Sequence, residues 1–379
     1  MIDILHGLVG WLPVGLPAFL FVITVVVFFH ELGHFSVARF FNVTVETFSI
    51  GFGRSVAKWT DKKGTEWKIG WLPLGGYVKF LGDENGASVP DREILARLSP
   101  EQRANVFQSK PLYQRALVVA AGPIANFILA IVIFSGVLML LGQATVLTTV
   151  GKVTPGAPAA VAGIRSGDVI TAVNGAKVET FNELVSAVRA QQAHDMAIGF
   201  TRQGKAMTVD VKPRVIKTND LYGDSVKFLG IGVQPAFTES NARYVALGPV
   251  AAVTGAAQQT WFVADTSLTY LWRIVTGHSR SDQLTGPLGM ASVSKQAASA
   301  GFMSLLQLAA LLSVSIGLIN LFPVPILDGG HLLYYGCEAV LGRPLGERAQ
   351  DVGFRLGLAA VLGLFVLATW NDLVRLNLF

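Results

Sequence analysis

Charge is scarce in this chain of 379 residues: only 15% are Asp, Glu, Lys or Arg, where soluble globular proteins carry about 25%. Hydrophobic residues make up 51%, and together these figures exclude a single soluble domain. The scarcity is uneven. Residues 7–29, 116–151, 296–327 and 356–371 hold no charged side chain at all, and each stretch is near or beyond the roughly 20 residues that a bilayer-spanning helix needs. No Lys or Arg precedes Arg39. The first apolar stretch thus lacks the basic start of a signal peptide, shows no small-residue cleavage site after it, and reads as a retained anchor. Cysteine occurs once, as Cys337, which excludes an internal disulfide. Long basic runs are missing too. The net charge of +5 comes from 30 basic and 25 acidic residues spread along the chain, which excludes nucleic acid as a partner.

What basic residues there are give an orientation. Residues 39–115 hold 12 Lys and Arg, residues 143–303 hold 14, and residues 338–355 hold 3. The shorter loop is the denser, so the positive-inside rule puts 39–115 and 338–355 in the cytoplasm and leaves both termini and 143–303 outside. Residues 244–264 are also uncharged, but Gln258, Gln259 and Thr260, followed by Asp265, Thr266 and Ser267, interrupt them. That pattern suits an amphipathic segment in the interface better than a crossing.

Residues 150–236 change character, with charges, short alternating runs and turn dipeptides. Gly156-Ala157-Pro158, then Gly167-Asp168-Val169-Ile170 and Val173-Asn174-Gly175, predict a short helix, a strand and a hairpin turn, and Phe181 to Arg189 has helical spacing. The order resembles a PDZ domain, in the circularly permuted bacterial form. Phe228, Leu229, Gly230 and Ile231 then correspond to that family's carboxylate-binding loop. The resemblance implies capture of a peptide ligand by strand addition, against the plainer role of a module that gates access by size.

The chemistry centres on His30-Glu31-Leu32-Gly33-His34 at the end of the first apolar stretch. Histidines four apart share one helix face, so both imidazoles reach one metal while Glu31 stands beside them to take a proton from water. Ionisable residues in a span cost about 2.5–3.5 kcal/mol each on insertion scales, which argues against chance. Catalytic zinc takes three protein ligands, so one is missing. His6, His194 and His278 lie in no metal pattern. Asp328 and His331 remain, beside Asn320-Leu321-Phe322-Pro323-Val324-Pro325-Ile326-Leu327, whose prolines break the third apolar stretch. Irregular backbone at that depth survives only when buried in protein or lining a wet cavity, and a carboxylate there calls for a cation.

These motifs resemble those of the site-2 protease family of intramembrane zinc metalloproteases, over nearly the whole chain. Within it the likeness is to the bacterial regulator of sigma-E protease, carried also by Gly122-Pro123-Ile124-Ala125-Asn126-Phe127 and Leu284-Thr285-Gly286-Pro287. That relative usually has two PDZ domains, and one is found here. The resemblance implies Zn2+ held by His30, His34 and Asp328, Glu31 as general base, and Asn320 helping to hold the substrate backbone. It also implies a bacterial inner membrane, with the outside being the periplasm, and transmembrane substrates such as anti-sigma-factor-type regulators or remnant signal peptides. These are cut after an upstream site-1-type protease has acted. Since Asp328 must return to the depth of His30, residues 244–272 cannot cross the membrane.

The cytoplasmic loop is apolar for its position. Val43 to Gly53 and Trp67 to Leu81 alternate and include Gly75-Gly76-Tyr77, which predicts strands against the active site whose edge holds an unwound substrate, or else a sheet that plugs the cytoplasmic mouth. The expected architecture is a polytopic α-helical membrane protein with four transmembrane helices, a membrane-associated β region and one periplasmic PDZ-like α+β domain. Its divisions are 1–41 (first span), 42–114 (β loop region), 115–142 (second span), 150–236 (PDZ-like), 237–303 (interfacial), 304–337 (third span) and 356–376 (fourth span). Two other functions compete. A metal transporter is disfavoured because the charge-free stretches 116–151 and 356–371 of the second and fourth spans hold no ionisable residue to carry an ion across. A catalytically inactive PDZ scaffold with a structural metal site is disfavoured by Glu31, which such a site does not need.

Overall fold

A computed structural model describes residues 2–83, 94, 97–191, 194–219, 225–236, 241–278 and 284–375. The chain divides into two compact units, Met1–Val137 with Val250–Phe379, and Leu138–Pro249.

The first unit begins with helix α1 (Ile2–Phe40), whose last turns present three working faces. Phe28, Leu32 and Phe35, at spacings of four and three, pack on the core of a β region. Val27 and Glu31, four apart, meet the same β region at Gly76. His30 and His34 point to a third side. The β region is the antiparallel hairpin of β1 (Val45–Thr60) and β2 (Glu66–Phe80), closed by Asp61, whose Oδ1 accepts from the backbone N–H groups of Lys63 and Thr65. Arg39 at the end of α1 donates to Asp61 Oδ2 and Thr65 Oγ1, anchoring the turn to the helix. Burial alone would raise the Asp61 carboxyl, but hydrogen bonds from Trp67, Lys63, Thr65 and Arg39 hold it down at about 2.

Both strands bend sharply near Gly51, Gly53, Gly70 and Gly75, and the register shifts there. As a result Phe48, Ser49 and Ile50 pair with Val78, Tyr77 and Gly76 on one side and with Trp67, Lys68 and Ile69 on the other. Phe48 is fully buried among Phe28, Phe35 and Trp67. Residues 76–80 are paired on one side only among the described residues. The end of β2 is tied to the turn Phe107–Ser109 by Asp83, whose oxygens accept from the N–H of Phe80 and from Gln108 Nε2. Burial pushes the Asp83 carboxyl up to about 6. Helix α2 (Leu112–Leu140) follows.

The second unit has strands β3 (Gln143–Val146), β4 (Val150–Val153), β5 (Val169–Val173), β6 (Ala176–Lys177), β7 (Met196–Arg202), β8 (Lys205–Val211), β9 (Arg214–Asn219), β10 (Ser225–Gly230), β11 (Val233–Pro235) and β12 (Ala242–Val245), with helix α3 (Phe181–Ala190) before β7. A sheet of order β6-β5-β7-β8 is accompanied by three two-stranded pairings, β9 with β10, β4 with β11 and β3 with β12. Ile170, Leu184, Met196, Ile198 and Phe200 form its core. Inside it the buried Asp168 carboxylate takes two bonds from Arg202 and one from the Arg165 N–H. Burial by itself would raise this carboxyl, and the Arg202 guanidinium and the Arg165 N–H together hold it below the usual range.

The first unit resumes with α4 (Pro249–Val275), α5 (Pro287–Ser299), α6 (Phe302–Asn320), α7 (Asp328–Leu341) and α8 (Glu347–Arg375). Among the described residues four helices are long and apolar enough to cross a membrane, over Pro13–Phe40, Leu112–Leu140, Phe302–Asn320 and Arg348–Arg375. Helix α4 is not among them. It exposes Trp261, Phe262 and Trp272 while burying Ala252, Ala256, Thr260 and Ala264. Helices α1 and α6 pack through Ala18, Val22 and Val26 against Leu305, Ala309 and Leu312. Pro323 and Pro325 end α6 and start the irregular run that leads into α7, where proline cannot continue a helix. That run folds back closely on α7: a Cβ on Gly329 would collide with the Leu321 and Phe322 carbonyls, and one on Gly330 with Val324. Asp328, the first residue of α7, is fixed at this turn.

Candidate active site

Helices α1, α2 and α7 bring three side chains together. His30 Nε2 and His34 Nε2 are 3.2 Å apart, and Asp328 Oδ2 lies 3.2 Å from the first and 3.5 Å from the second. Among the described residues this is the one group of three His, Cys, Asp or Glu with donor atoms all within 4.8 Å of one another. His331 is outside it, and His194 and His278 are exposed and bonded locally, to the Gln191 carbonyl and Thr276 Oγ1.

The donors fit a cation. Asp328 Oδ2 is buried with no hydrogen-bond partner, although it faces two imidazoles, and an orphaned buried carboxylate oxygen is costly unless something positive meets it. The His34 Nδ1–H donates to the Val118 carbonyl at 2.9 Å, so its Nε2 carries the bare lone pair. His30 Nδ1 stands 3.2 Å from the amide of Asn126, which is fully buried with its Oδ1 otherwise unpartnered. The two ends of an amide are distinguished only by their network. Turning Asn126 so that Oδ1 accepts from His30 Nδ1–H frees His30 Nε2 in the same way. Two imidazoles and one carboxylate, each histidine oriented through its other nitrogen, is the donor set of catalytic zinc.

Helix α2 is shaped for this contact. Val118, Gly122 and Asn126 recur at spacings of four, so one face meets both histidines, and a Cβ on Gly122 would fall within 2.9 Å of His30 Cε1 and nearer still to the His34 ring. Gly33 likewise lets α1 approach the Ala121 carbonyl. Ser313 Oγ of α6 donates to the Asn126 carbonyl at 2.8 Å, and Gly317 abuts the Asn126 Cβ. Val118 has no role in the sequence reading, and Asn126 enters it only within the Gly122–Phe127 run that carries the resemblance, because a neutral amide and a backbone carbonyl leave no charge pattern. Beyond that resemblance, the signal at Asn126 is an amide inside an uncharged stretch. Asn126→Leu should weaken zinc binding by roughly 10–100-fold, the usual effect of removing an outer partner of a ligand histidine. Chelator competition on purified protein checks this, and an unchanged dissociation constant would remove Asn126 from the site.

The other predicted residues fall as follows. Glu31 sits one residue after His30, its Cγ 3.0 Å from where a Gly76 Cβ would be. Gly75 (φ +121°) lies against the Phe52 ring, and Tyr77 stacks on that ring. Gly76 is therefore the point where β2 touches the Glu31 face of α1. Asn320 is the last residue of α6, one turn beyond Gly317. Phe228, Leu229 and Gly230 are the end of strand β10, paired with Ile216, Val215 and Arg214, and Ile231 enters the core of the second unit. They form a hairpin strand because Phe228 and Leu229 favour extended backbone and find β9 across a short connection.

The family model of peptidase family M50 matches residues 18–364. A protein of Agrobacterium fabrum is 42% identical over 367 residues, 97% of each chain. One of Rhizobium meliloti is 42% identical over 358 residues, 94% of this chain and 96% of that one. Both bear provisional names as zinc metalloproteases. Metalloprotease MmpA of Caulobacter vibrioides is 39% identical over 396 residues, 98% of each chain.

Proposed function

Because the chain belongs to peptidase family M50, the site-2 proteases, and is a membrane-embedded zinc metalloprotease, we propose that it hydrolyses peptide bonds within the transmembrane segments of membrane proteins. The observation that carries this is the convergence of His30, His34 and Asp328 at the end of an apolar helix long enough to span a bilayer. In this reading those three residues hold the zinc and Glu31 is the general base. Zinc bound there supplies Lewis acidity toward a peptide carbonyl and toward water.

The remaining work belongs to the chain's own residues. Glu31 takes the proton of the attacking water and passes it to the leaving amine. A transmembrane substrate arrives as a helix with its carbonyls hydrogen-bonded, and it must unwind without leaving backbone groups bare. Residues 76–80, paired on one side only among the described residues, offer the replacement bonds as an edge strand, with Gly76 against Glu31 and Gly75 and Tyr77 its neighbours in the strand. Asn320 helps to hold the substrate backbone.

The unit Leu138–Pro249 is read as a PDZ-like domain. Helix α3 runs beside β10, and Phe228 is half exposed, which suits a peptide groove between a helix and a strand. It either binds a peptide terminus or screens substrates by size, which fits a second cut made after an upstream protease has trimmed the substrate. Anti-sigma-factor-type regulators and remnant signal peptides are the substrate classes in view. The distribution of basic residues supports a periplasmic location for this unit and both termini, in a bacterial inner membrane.

Reconstitution with a single-span substrate lacking its outer domain tests the reading. Mass spectrometry of the products should place the new termini inside the apolar segment, and cuts confined to flanking loops would refute it. With Cys337 replaced by Ala, Ser186→Cys should react with an impermeant thiol reagent from the periplasmic side; protection there with labelling from the cytoplasm would invert the orientation.

A further inference from the structure

The third donor of the cluster stands at the first position of a short helix. Helix α7 has 14 residues, follows an irregular run, and exposes Leu333, Val340 and Leu341 on its outer side. Asp328 is at its first position, so any rocking or rotation of α7 moves the carboxylate relative to the two imidazoles, which are fixed on α1. Something must hold the far end of α7.

Ten residues on, about 15 Å along the helix, Glu338 Oε1 accepts from Arg115 Nη2 at 2.6 Å. The two side chains are only 17% and 15% exposed. Arg115 Nε donates to the Lys110 carbonyl at 3.1 Å, and its guanidinium carbon is 4.9 Å from the centre of the Tyr335 ring. The arginine is thus fixed by its own helix start while it holds two residues of α7. Its own place matters equally. Arg115, Val118, Gly122 and Asn126 recur at three and four residues, so they share the face of α2 that orients His34 and His30. Asp328, Leu332, Tyr335 and Glu338 share a face of α7 by the same spacing, and Leu332 and Tyr335 join the core beneath the β region. One side of α2 therefore orients the two histidines at one end and grips the carboxylate's helix at the other.

We propose that Arg115 and Glu338 are positioning residues that set the rotation and height of α7, and through them the place of Asp328 in the metal site. This rests on the reading of Asp328 as a zinc ligand. An exposed surface ion pair contributes little, but a pair shielded to this extent, charge-assisted and seated on an aromatic ring, has a defined geometry that a lysine or an amide does not reproduce.

Zinc dissociation constants measured by chelator competition on the full-length protein test it. Glu338→Gln should weaken zinc roughly tenfold or more, within the range seen when an outer partner of a metal ligand is lost, and Arg115→Lys, a milder change that keeps the charge, should weaken it in the same direction. The exchanged pair, Arg115→Glu with Glu338→Arg, should recover part of the loss. In an Asp328→Asn background Glu338→Gln should have no further effect, because the group it positions is gone. A general loss of stability would instead weaken zinc equally in both backgrounds, and that result overturns the proposal. So does a parental dissociation constant in both Glu338→Gln and Arg115→Lys when Asp328→Asn itself weakens zinc. If Asp328→Asn binds zinc as the parent does, the ligand reading fails and the proposal with it.

Discussion

Glu31→Gln should leave a full equivalent of zinc on the protein and abolish peptide hydrolysis. Gln has nearly the volume of Glu, so the contact of residue 31 with Gly76 is preserved, and the three donor side chains are untouched. What disappears is the capacity to accept a proton. General base catalysis contributes about 10²–10⁴-fold, and activity in a site without another carboxylate aimed at the substrate should fall by at least that much. The comparison to make is single-turnover cleavage of a reconstituted transmembrane substrate beside zinc content measured by mass spectrometry. Loss of zinc together with activity would assign Glu31 a structural part. Retention of both would move the base elsewhere.

Asp328→Asn should release the metal. The substitution keeps the shape and removes the one negative charge that faces the two imidazole nitrogens at 3.2 and 3.5 Å. Breaking a buried charge pairing from one side costs about 3–5 kcal/mol, which is roughly two to three and a half decades in a dissociation constant. Zinc affinity and hydrolysis should fall together, and His34→Ala should do the same from the other helix. This pairing of outcomes separates a ligand from a base, since Glu31→Gln loses activity alone. Undiminished zinc in Asp328→Asn would leave His331 as the next candidate.

The site was legible where chemistry follows spacing. Histidines at i and i+4 must share a helix face, and the double proline before Asp328 had to end a helix, so both halves of the cluster stood out before their meeting was seen. Four apolar helices were legible for the same reason, as charge-free runs. What could not be read was the set of contacts that cross long separations. Val118, Gly122 and Asn126 act through a carbonyl, a missing side chain and a neutral amide, none of which alters hydropathy. Arg115 and Glu338 are 223 residues apart, and each looked like an ordinary residue of a cytoplasmic loop. The β region showed its alternation, but residues 48–50 pair on both sides because the strands bend at glycines, and register shifts of that kind follow from backbone angles rather than from a pattern of side chains. Phe228 to Ile231 illustrate the reverse: a motif matched to a loop became the end of a paired strand, since local preference and a nearby partner decide extended structure.

In the proposed reading, zinc is held by two histidines of one apolar helix and a carboxylate brought back by another. X-ray absorption at the zinc edge of the purified protein tests it most directly. One zinc per chain is expected, bound by two imidazole rings and otherwise only by oxygen. A shell that requires three imidazoles, or sulfur from Cys337, would contradict it.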